Sequence, residues 1–141
     1  MNKKIFLVDD DSDDIFLFTE AVRDIASLCL HGVAKNGVEA LEILLPMRPL
    51  PDFIFTDINM PRMNGLECLQ EVKRQPRLKE IPVIVISTST AQAEVAYKLG
   101  AYAFIRKPSS MKTLRLKIDR AVTTLSADFT THAFQQSLEI L

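Results

Sequence analysis

Residues 53–61 have the sequence FIFTDINMP, an apolar run that ends at a single carboxylate. The aromatic and branched side chains of residues 53–55 predict a buried β-strand. Asp57 then stands at the mouth of that strand, ahead of a turn through Pro61. Because a buried carboxylate is costly, we expect Asp57 either to cap the loop or to have a charged partner and a chemical task.

Length and composition limit the classes of protein to consider. The chain has 141 residues, of which 48% are hydrophobic and 25% charged, and its net charge is −1. These values are typical of one soluble domain with a substantial core. The balanced charge argues against nucleic acid and anionic membranes as partners, and no apolar run is long enough for a signal peptide or a membrane span. We therefore expect a cytoplasmic protein that binds neither DNA nor a membrane.

Five short apolar runs alternate with five segments whose apolar residues recur at helical spacing. The predicted strands cover residues 5–8, 28–34, 53–56, 83–86 and 103–105. Helical faces lie between them, such as Ile15, Phe18 and Val22 in the first helix. This alternation indicates an α/β sandwich with a parallel sheet, and the wholly apolar strands fit burial on both faces.

The first predicted helix begins in a run of acidic residues. Ser12 is a good N-cap, which places Asp13 and Asp14 in the first turn, where the helix dipole favours anions. Asp11 is expected to be an exposed charge at the rim. None of these three aspartates is expected to bind a metal directly.

Distinctive polar residues stand where the predicted strands end. The first strand is followed by Asp9 and Asp10, and the third by Asp57. The fourth strand is followed by Ser87 and the fifth, after one arginine, by Lys107. Ligands of open parallel sheets bind at the carboxyl ends of the strands. The sequence therefore predicts that these side chains converge on one edge of the sheet.

The chemistry of this edge points to a metal ion and a phosphoryl group. At about 4 Å, two like charges repel by roughly 1 kcal/mol in water and by roughly 4 kcal/mol at an effective dielectric constant of about 20. Mg²⁺ would relieve that repulsion, because it prefers carboxylate oxygens. A hydroxyl and an ammonium group suit the oxygens of a phosphoryl group, and a carboxylate can accept that group covalently.

Four motifs give this edge a specific resemblance. They are FLVDDD at residues 6–11, TDINMP at 56–61 with Gly65 after it, VIST at 85–88, and KP at 107–108. Through them the chain resembles, over residues 1–125, the receiver domain of bacterial response regulators, similar to the chemotaxis regulator of flagellar motors. The resemblance implies a doubly wound (βα)5 three-layer sandwich of the flavodoxin-like type, with strand order 2-1-3-4-5.

The resemblance also implies a role for each residue at the edge. Asp57 would accept a phosphoryl group from a phosphohistidine of a sensor histidine kinase. Asp10 and Asp57 would bind Mg²⁺ directly, together with the backbone carbonyl of Asn59. Asp9 would act on the metal through water, and Lys107 would pair with the phosphoryl group.

A conformational switch is implied by the same resemblance. Ser87 would swing toward the phosphoryl group, and the aromatic ring of Phe104 would follow into the vacated space. The family more often has Thr and Tyr at these two positions, so a methyl group and a phenol are absent here. The peptide bond between Lys107 and Pro108 is expected to be cis.

Residues 126–141 are too short for a DNA-binding or enzymatic domain. Phe134, Leu138 and Leu141 have the spacing of a short docking helix, and a frayed tail is the alternative. The resemblance is therefore to a stand-alone receiver that passes phosphate to a phosphotransfer protein or binds a downstream target. Such receivers include partners of phytochrome-type kinases, often homodimers through the fourth helix, fifth strand and fifth helix. Mg²⁺-dependent self-phosphorylation and autodephosphorylation are expected, without any metabolic enzyme activity.

Three other functions could be assigned to the same residues, and each would need particular features in the sequence. A pseudo-receiver, which is a protein-interaction module that never takes phosphate, stays open as the alternative, although such modules usually lack the acceptor, an acid or the lysine. An EF-hand calcium loop in the acidic run would need Gly in place of Asp14 and a helix where residues 5–8 predict a strand. A phosphohydrolase would need a cap over its substrate, for which the chain has little room.

Overall fold

The computed structural model describes residues 2–127 and 140–141. Strands and helices alternate through this part of the chain, within one or two residues of the predicted strand bounds. They are β1 Lys3–Val8, α1 Ser12–Arg23, β2 Leu28–Ala34, α2 Gly37–Leu44, β3 Phe53–Thr56, α3 Gly65–Arg74, β4 Val83–Ser87, α4 Ala93–Lys98, β5 Ala103–Arg106 and α5 Met111–Ala127. Of the helices in the described residues, none is both long and apolar enough to cross a membrane.

All five strands join one parallel sheet. β1 pairs with β2 on one side and with β3 on the other, and β4 lies between β3 and β5. The order β2-β1-β3-β4-β5 confirms the predicted doubly wound, flavodoxin-like topology. The chain leaves β1 in one direction to form β2 and then crosses to the other side for β3. The carboxyl ends of β1 and β3 therefore border the crevice in which such sheets bind ligands.

The sheet buries apolar side chains on both faces. In β1, Phe6 and Val8 belong to the core on the side of α2, α3 and α4. Ile5 and Leu7 alternate with them and belong to the core on the side of α1 and α5. Each fully buried side chain of this size contributes about 1.5–3 kcal/mol of transfer free energy. Burial on both faces is the reason that the strands read as continuous apolar runs rather than as alternating ones.

The cap of α1 lies one residue earlier than the sequence predicts. Asp11, not Ser12, is the N-cap, and its Oδ1 accepts hydrogen bonds from the backbone N–H groups of Asp13 at 2.8 Å and Asp14 at 3.1 Å. Asp11 has extended backbone angles, φ −89° and ψ 118°, from which its carboxylate reaches both donors. Its charge is exposed at the rim, as expected, but it also fixes where the helix begins.

The loop after β3 is held against the start of α3. Asn64 and Glu67 form a capping box, in which each side chain accepts a hydrogen bond from the other residue's backbone N–H. The N–H of Gly65 donates to the carbonyl of Ile58 at 2.8 Å. A Cβ atom on Gly65 would lie 1.9 Å from the carbonyl oxygen of Asp57. The close approach of α3 to Asp57 therefore requires a residue without a side chain.

Residues 140 and 141 lie beside β5, at the edge of the sheet. Ile140 forms a parallel bridge with Phe104, and the N–H of Leu141 donates to the Phe104 carbonyl at 2.9 Å. The N–H of Arg106 in turn donates to the Leu141 carbonyl at 3.1 Å. α5 includes the first two residues of the predicted tail. Leu141, one of the three residues on which the docking helix was predicted, pairs with β5 instead of lying in a helix, and Phe134 and Leu138 lie outside the described residues.

The substitution Gly65→Ala should destabilise the fold strongly. The new methyl group meets backbone atoms, which cannot move aside as a side chain can. We expect a loss of about 3 kcal/mol in the free energy of unfolding. Urea unfolding followed by circular dichroism measures it.

The matched control is Gly37→Ala, because Gly37 is also the first residue of a helix, α2. The three atoms nearest to a Cβ atom there belong to the side chain of Met63, at 2.6–2.8 Å, and none of them is a backbone atom. The control should lose less stability than Gly65→Ala. Equal losses in the two variants would contradict the special role of the Gly65 contact.

Candidate functional site

Three aspartates meet at the carboxyl edge of β1 and β3. Val8 and Thr56 are register partners, so the residues that follow them, Asp9 and Asp57, lie side by side. The backbone N–H of Asp57 donates to the carbonyl of Val8 at 2.9 Å. One carboxylate oxygen each from Asp9, Asp10 and Asp57 lies within 4.8 Å of the others. Asp9 and Asp57 are buried, with 2% and 9% of their surface exposed, whereas Asp10 is exposed.

Lys107 brings one positive charge to this edge. Its Nζ lies 3.2 Å from Asp9 Oδ2 and 3.5 Å from Asp57 Oδ1. A third carboxylate, that of Asp14, is nearer still, at 2.7 Å. The backbone N–H of Lys107 donates to the carbonyl of Ser87 at 2.8 Å, which ties the end of β5 to the end of β4. The structure thus brings the predicted lysine to the predicted aspartates.

Asp14 is the site residue that the sequence reasoning missed. The sequence predicts it only as a residue of the first turn of α1, yet its carboxylate accepts the shortest hydrogen bond from Lys107. Asp14 stands four residues before Phe18, which is buried. Residues four apart share a helix face. The helical spacing to Phe18 was therefore the signal that could have placed Asp14 toward the sheet edge rather than in solvent.

The two predicted switch residues lie on neighbouring strands in the interior. Ser87 ends β4 and is 2% exposed, and its Oγ accepts the N–H of Ser89 at 3.3 Å. Phe104 is fully buried in β5. The backbone N–H of Phe104 donates to the hydroxyl of Tyr97 in α4 at 3.1 Å. A phenol therefore contacts this segment from the helix. The switching roles of Ser87 and Phe104 stay predictions.

Two further expectations concern the loops of the site. Asn59 is exposed in the loop between β3 and α3, and the role of its carbonyl in metal binding stays a prediction. The prediction of a cis peptide bond between Lys107 and Pro108 is wrong. The cis bond in the described residues precedes Pro49 instead.

Burial sets the charge balance of the site. It raises the pKa of Asp9 to about 6, against the opposing effects of the Asp11 N–H and the charge of Lys107. Burial also raises the pKa of Asp57, and Lys107 opposes that shift too. For Lys107, burial alone lowers the pKa, but the hydrogen bond to Asp14 and the nearby carboxylates raise it overall. The lysine is therefore an ammonium ion that faces more negative charge than it can neutralise.

The residues at this edge fit a divalent cation. The three clustered aspartates offer only oxygen atoms, the ligands that Mg²⁺ prefers. Mg²⁺ usually takes one or two protein carboxylates and keeps several waters, and the exposed Asp10 leaves room for them. Among the described residues, the buried carboxylates of Asp9 and Asp57 repel each other and are paired with one lysine, Lys107. A cation would relieve the repulsion that Lys107 leaves.

The raised pKa of Asp9 predicts how stability depends on pH in the metal-free protein. Between the unfolded value of 3.8 and about 6, the folded protein retains a proton that the unfolded chain has released. The free energy of unfolding should therefore fall as pH rises through this window, by on the order of 2 kcal/mol from Asp9. Urea unfolding in EDTA at both ends of the window measures the change.

Asp9→Asn should remove this part of the pH dependence, since the amide does not titrate. Asp13→Asn, which removes an exposed charge from the same acidic segment, should keep it. An unchanged slope in Asp9→Asn would show that Asp9 is not the group responsible.

Comparison with known proteins identifies the family. The sequence model of one protein family, the response regulator receiver domain, matches residues 5–119. The chemotaxis protein CheY1 of Helicobacter pylori is 40% identical over 93 residues, which make up 64% of this chain and 74% of CheY1. The protein-glutamate methylesterase/protein-glutamine glutaminase of Pyrococcus horikoshii is 37% identical over 119 residues, or 81% of this chain. The matched part is 31% of that protein, so the chain spans about a third of this relative's length.

Solved structures agree with this assignment. The phosphorylated cyanobacterial phytochrome response regulator RcpA superposes with a TM-score of 0.77 at 32% identity, covering 88% of this chain and 96% of RcpA. The Mn²⁺-bound form of the response regulator Rcp1 gives a TM-score of 0.73 at 30% identity, covering 87% of this chain and 94% of Rcp1. The chain therefore belongs to the response regulator receiver family, the CheY-like signalling domains of two-component systems.

Proposed function

We propose that the chain is a phosphoacceptor switch of a phosphorelay, in which Asp57 accepts a phosphoryl group from a sensor histidine kinase. One observation supports this most directly. The Asp57 carboxylate is a buried anion at the sheet edge, with the Lys107 ammonium 3.5 Å away and two more aspartates beside it. Membership in the receiver family agrees with the proposal, and RcpA, at 32% identity, was crystallised in phosphorylated form.

The proposed chemistry is a displacement at phosphorus. A carboxylate oxygen of Asp57 forms a bond to the phosphorus atom while the bond from phosphorus to the kinase's imidazole nitrogen breaks. The electron pair of the broken bond stays on the imidazole, and an acyl phosphate results. The ammonium group of Lys107 stabilises the negative charge on the phosphoryl oxygens, and the hydroxyl of Ser87 donates a hydrogen bond to one of them.

Mg²⁺ is the proposed cofactor. Asp10 and Asp57 would hold the ion directly with the backbone carbonyl of Asn59, and Asp9 would hold it through water. Bound there, the ion would supply positive charge to the phosphoryl oxygens and relieve repulsion between the aspartates. The cluster of oxygen donors within 4.8 Å supports this, as does the Mn²⁺-bound form of Rcp1.

Phosphorylation is proposed to shift a two-state equilibrium. In the phosphorylated state the Ser87 hydroxyl turns toward the phosphoryl group, and the Phe104 ring moves toward the space that Ser87 leaves. Phe104 is fully buried, and its backbone N–H binds the Tyr97 hydroxyl of α4. The Phe104 ring belongs to the same apolar core as Ala96 of α4, so movement of the ring would be transmitted to that helix.

The proposed partners follow from the family. They are a sensor histidine kinase as phosphate donor, a phosphotransfer protein to which the phosphate passes, and a downstream protein that binds the switched surface. A phytochrome-type kinase is supported by the similarity to RcpA. We further propose a homodimer through α4, β5 and α5, and a cytoplasmic location.

The proposal predicts that acetyl phosphate with Mg²⁺ adds one phosphate to the protein. Intact-mass spectrometry should detect the adduct in the wild type, and not in Asp57→Asn or when EDTA removes the metal. Asp13→Asn, outside the proposed machinery, should be labelled like the wild type. Labelling of Asp57→Asn to the same extent would assign the acceptor to another residue.

A wild type without an adduct would be tested with beryllofluoride, which mimics the phosphoryl group. Retention of beryllofluoride in the presence of Mg²⁺ would mean that the phosphate is added and rapidly hydrolysed. Failure to bind it would overturn the proposed function. The chain would then be a pseudo-receiver, a protein-interaction module that works without phosphate.

A further inference from the structure

We propose that Asp14 is a positioning residue, whose carboxylate holds the ammonium group of Lys107 toward α1 and competes for it with a phosphoryl group on Asp57. The proposal rests on the proposed function of Asp57 and adds a residue that would tune it. The proposal is based on the different distances from Lys107 Nζ to the carboxylates of Asp9, Asp14 and Asp57.

Lys107 is not equally close to the three carboxylates. Lys107 Nζ donates hydrogen bonds to Asp14 Oδ2 at 2.7 Å and to Asp9 Oδ2 at 3.2 Å. Asp57 Oδ1 lies 3.5 Å away, a distance of an ion pair rather than of a strong hydrogen bond. Charge-assisted hydrogen bonds between N–H and carboxylate groups are strongest at about 2.7–2.9 Å. In this state the lysine is therefore bound most tightly by Asp14.

The three carboxylates also differ in their other contacts. Asp9 is buried, and its Oδ1 accepts the N–H of Asp11 at 3.0 Å, so its orientation is fixed by the backbone. Asp9 and Asp57 belong to the candidate metal cluster, and Asp14 does not. Asp14 stands in the first turn of α1 and meets Lys107 from the helix side. Its charge therefore acts on the lysine without belonging to the metal cluster.

A phosphoryl group on Asp57 would change this balance. Its oxygens carry more negative charge than the free carboxylate, and they would compete with Asp14 for the N–H groups of Lys107. The charge of Asp14 would also repel those oxygens. Both effects oppose the phosphorylated state. Asp14 therefore lowers the affinity of the site for a phosphoryl group, and it returns Lys107 to the helix side when the group leaves.

Solvent limits the size of the effect. The side chain of Asp14 is 37% exposed, whereas that of Lys107 is 13% exposed. Partly exposed ion pairs are screened, and their measured contributions rarely exceed a few-fold change in an equilibrium. We expect removal of the Asp14 charge to tighten the binding of a phosphoryl analogue by about three- to fivefold.

The chain supplies a matched control. Asp13 stands beside Asp14 in the same first turn, with the same charge and the same helix dipole, but its side chain is exposed. Asp14→Asn and Asp13→Asn therefore change the net charge and the helix start equally. They differ in the contact with Lys107.

The test measures the affinity for beryllofluoride with saturating Mg²⁺ by isothermal titration calorimetry. Asp14→Asn should bind about three- to fivefold more tightly than the wild type, with Asp13→Asn within about twofold of it. Asp14→Glu, which restores the charge, should return toward the wild-type affinity. In the metal-free protein, the ¹⁵N resonance of the Lys107 ammonium should shift in Asp14→Asn and stay in place in Asp13→Asn.

The outcomes separate this inference from the function on which it rests. A wild type that binds no beryllofluoride would overturn both. A wild type that binds it, with Asp14→Asn equal to Asp13→Asn, would overturn the role of Asp14 alone. Weaker binding by Asp14→Asn, with its fold intact by circular dichroism, would also overturn it, because the contact would then assist the phosphoryl group.

Discussion

In the part of the chain that the structure describes, the buried carboxylates of Asp9 and Asp57 share the ammonium group of Lys107 at one edge of the sheet, and this imbalance of charge organises the site. Asp9 and Asp57 are brought together by the register of two parallel strands, and the apolar cores on both faces hold those strands in place. The packing free energy of the fold thus offsets the repulsion between the two anions. The remaining negative charge at this edge favours the binding of a cation.

The surrounding backbone limits how this edge can rearrange. Gly65 lets α3 press against the carbonyl of Asp57, so the acceptor side cannot shift without moving a helix. On the other side, the N–H of Lys107 binds the carbonyl of Ser87. The hydroxyl and the ammonium group are therefore linked through the ends of two neighbouring strands. A displacement of the backbone at Ser87 would therefore also displace the backbone at Lys107.

The sheet and most of the candidate site could be predicted, because both depend on short-range patterns. Apolar runs mark strands that are buried on two faces, and parallel strands necessarily bring the residues after Val8, Thr56 and Arg106 to one edge. The contact of Asp14 is less directly predictable, since the helical spacing to Phe18 is its only signal in the sequence. It depends on the rotation of α1, which the packing of Phe18 sets. The cap at Asp11 was missed because Ser and Asp are equally good caps, and only the backbone angles decide between them.

The pairing of Ile140 and Leu141 with β5 affects how another molecule can approach the sheet. An unpaired edge strand is a template for strand addition, a common route to aggregation and to recognition of extended peptides. Here part of that template is already occupied by the protein's own backbone. A second chain that sought the same hydrogen bonds would have to displace these two residues. A partner that left these two residues in place would have to contact the side chains of the flanking helices, whose sequence can encode specificity, rather than a backbone pattern that any extended chain could match.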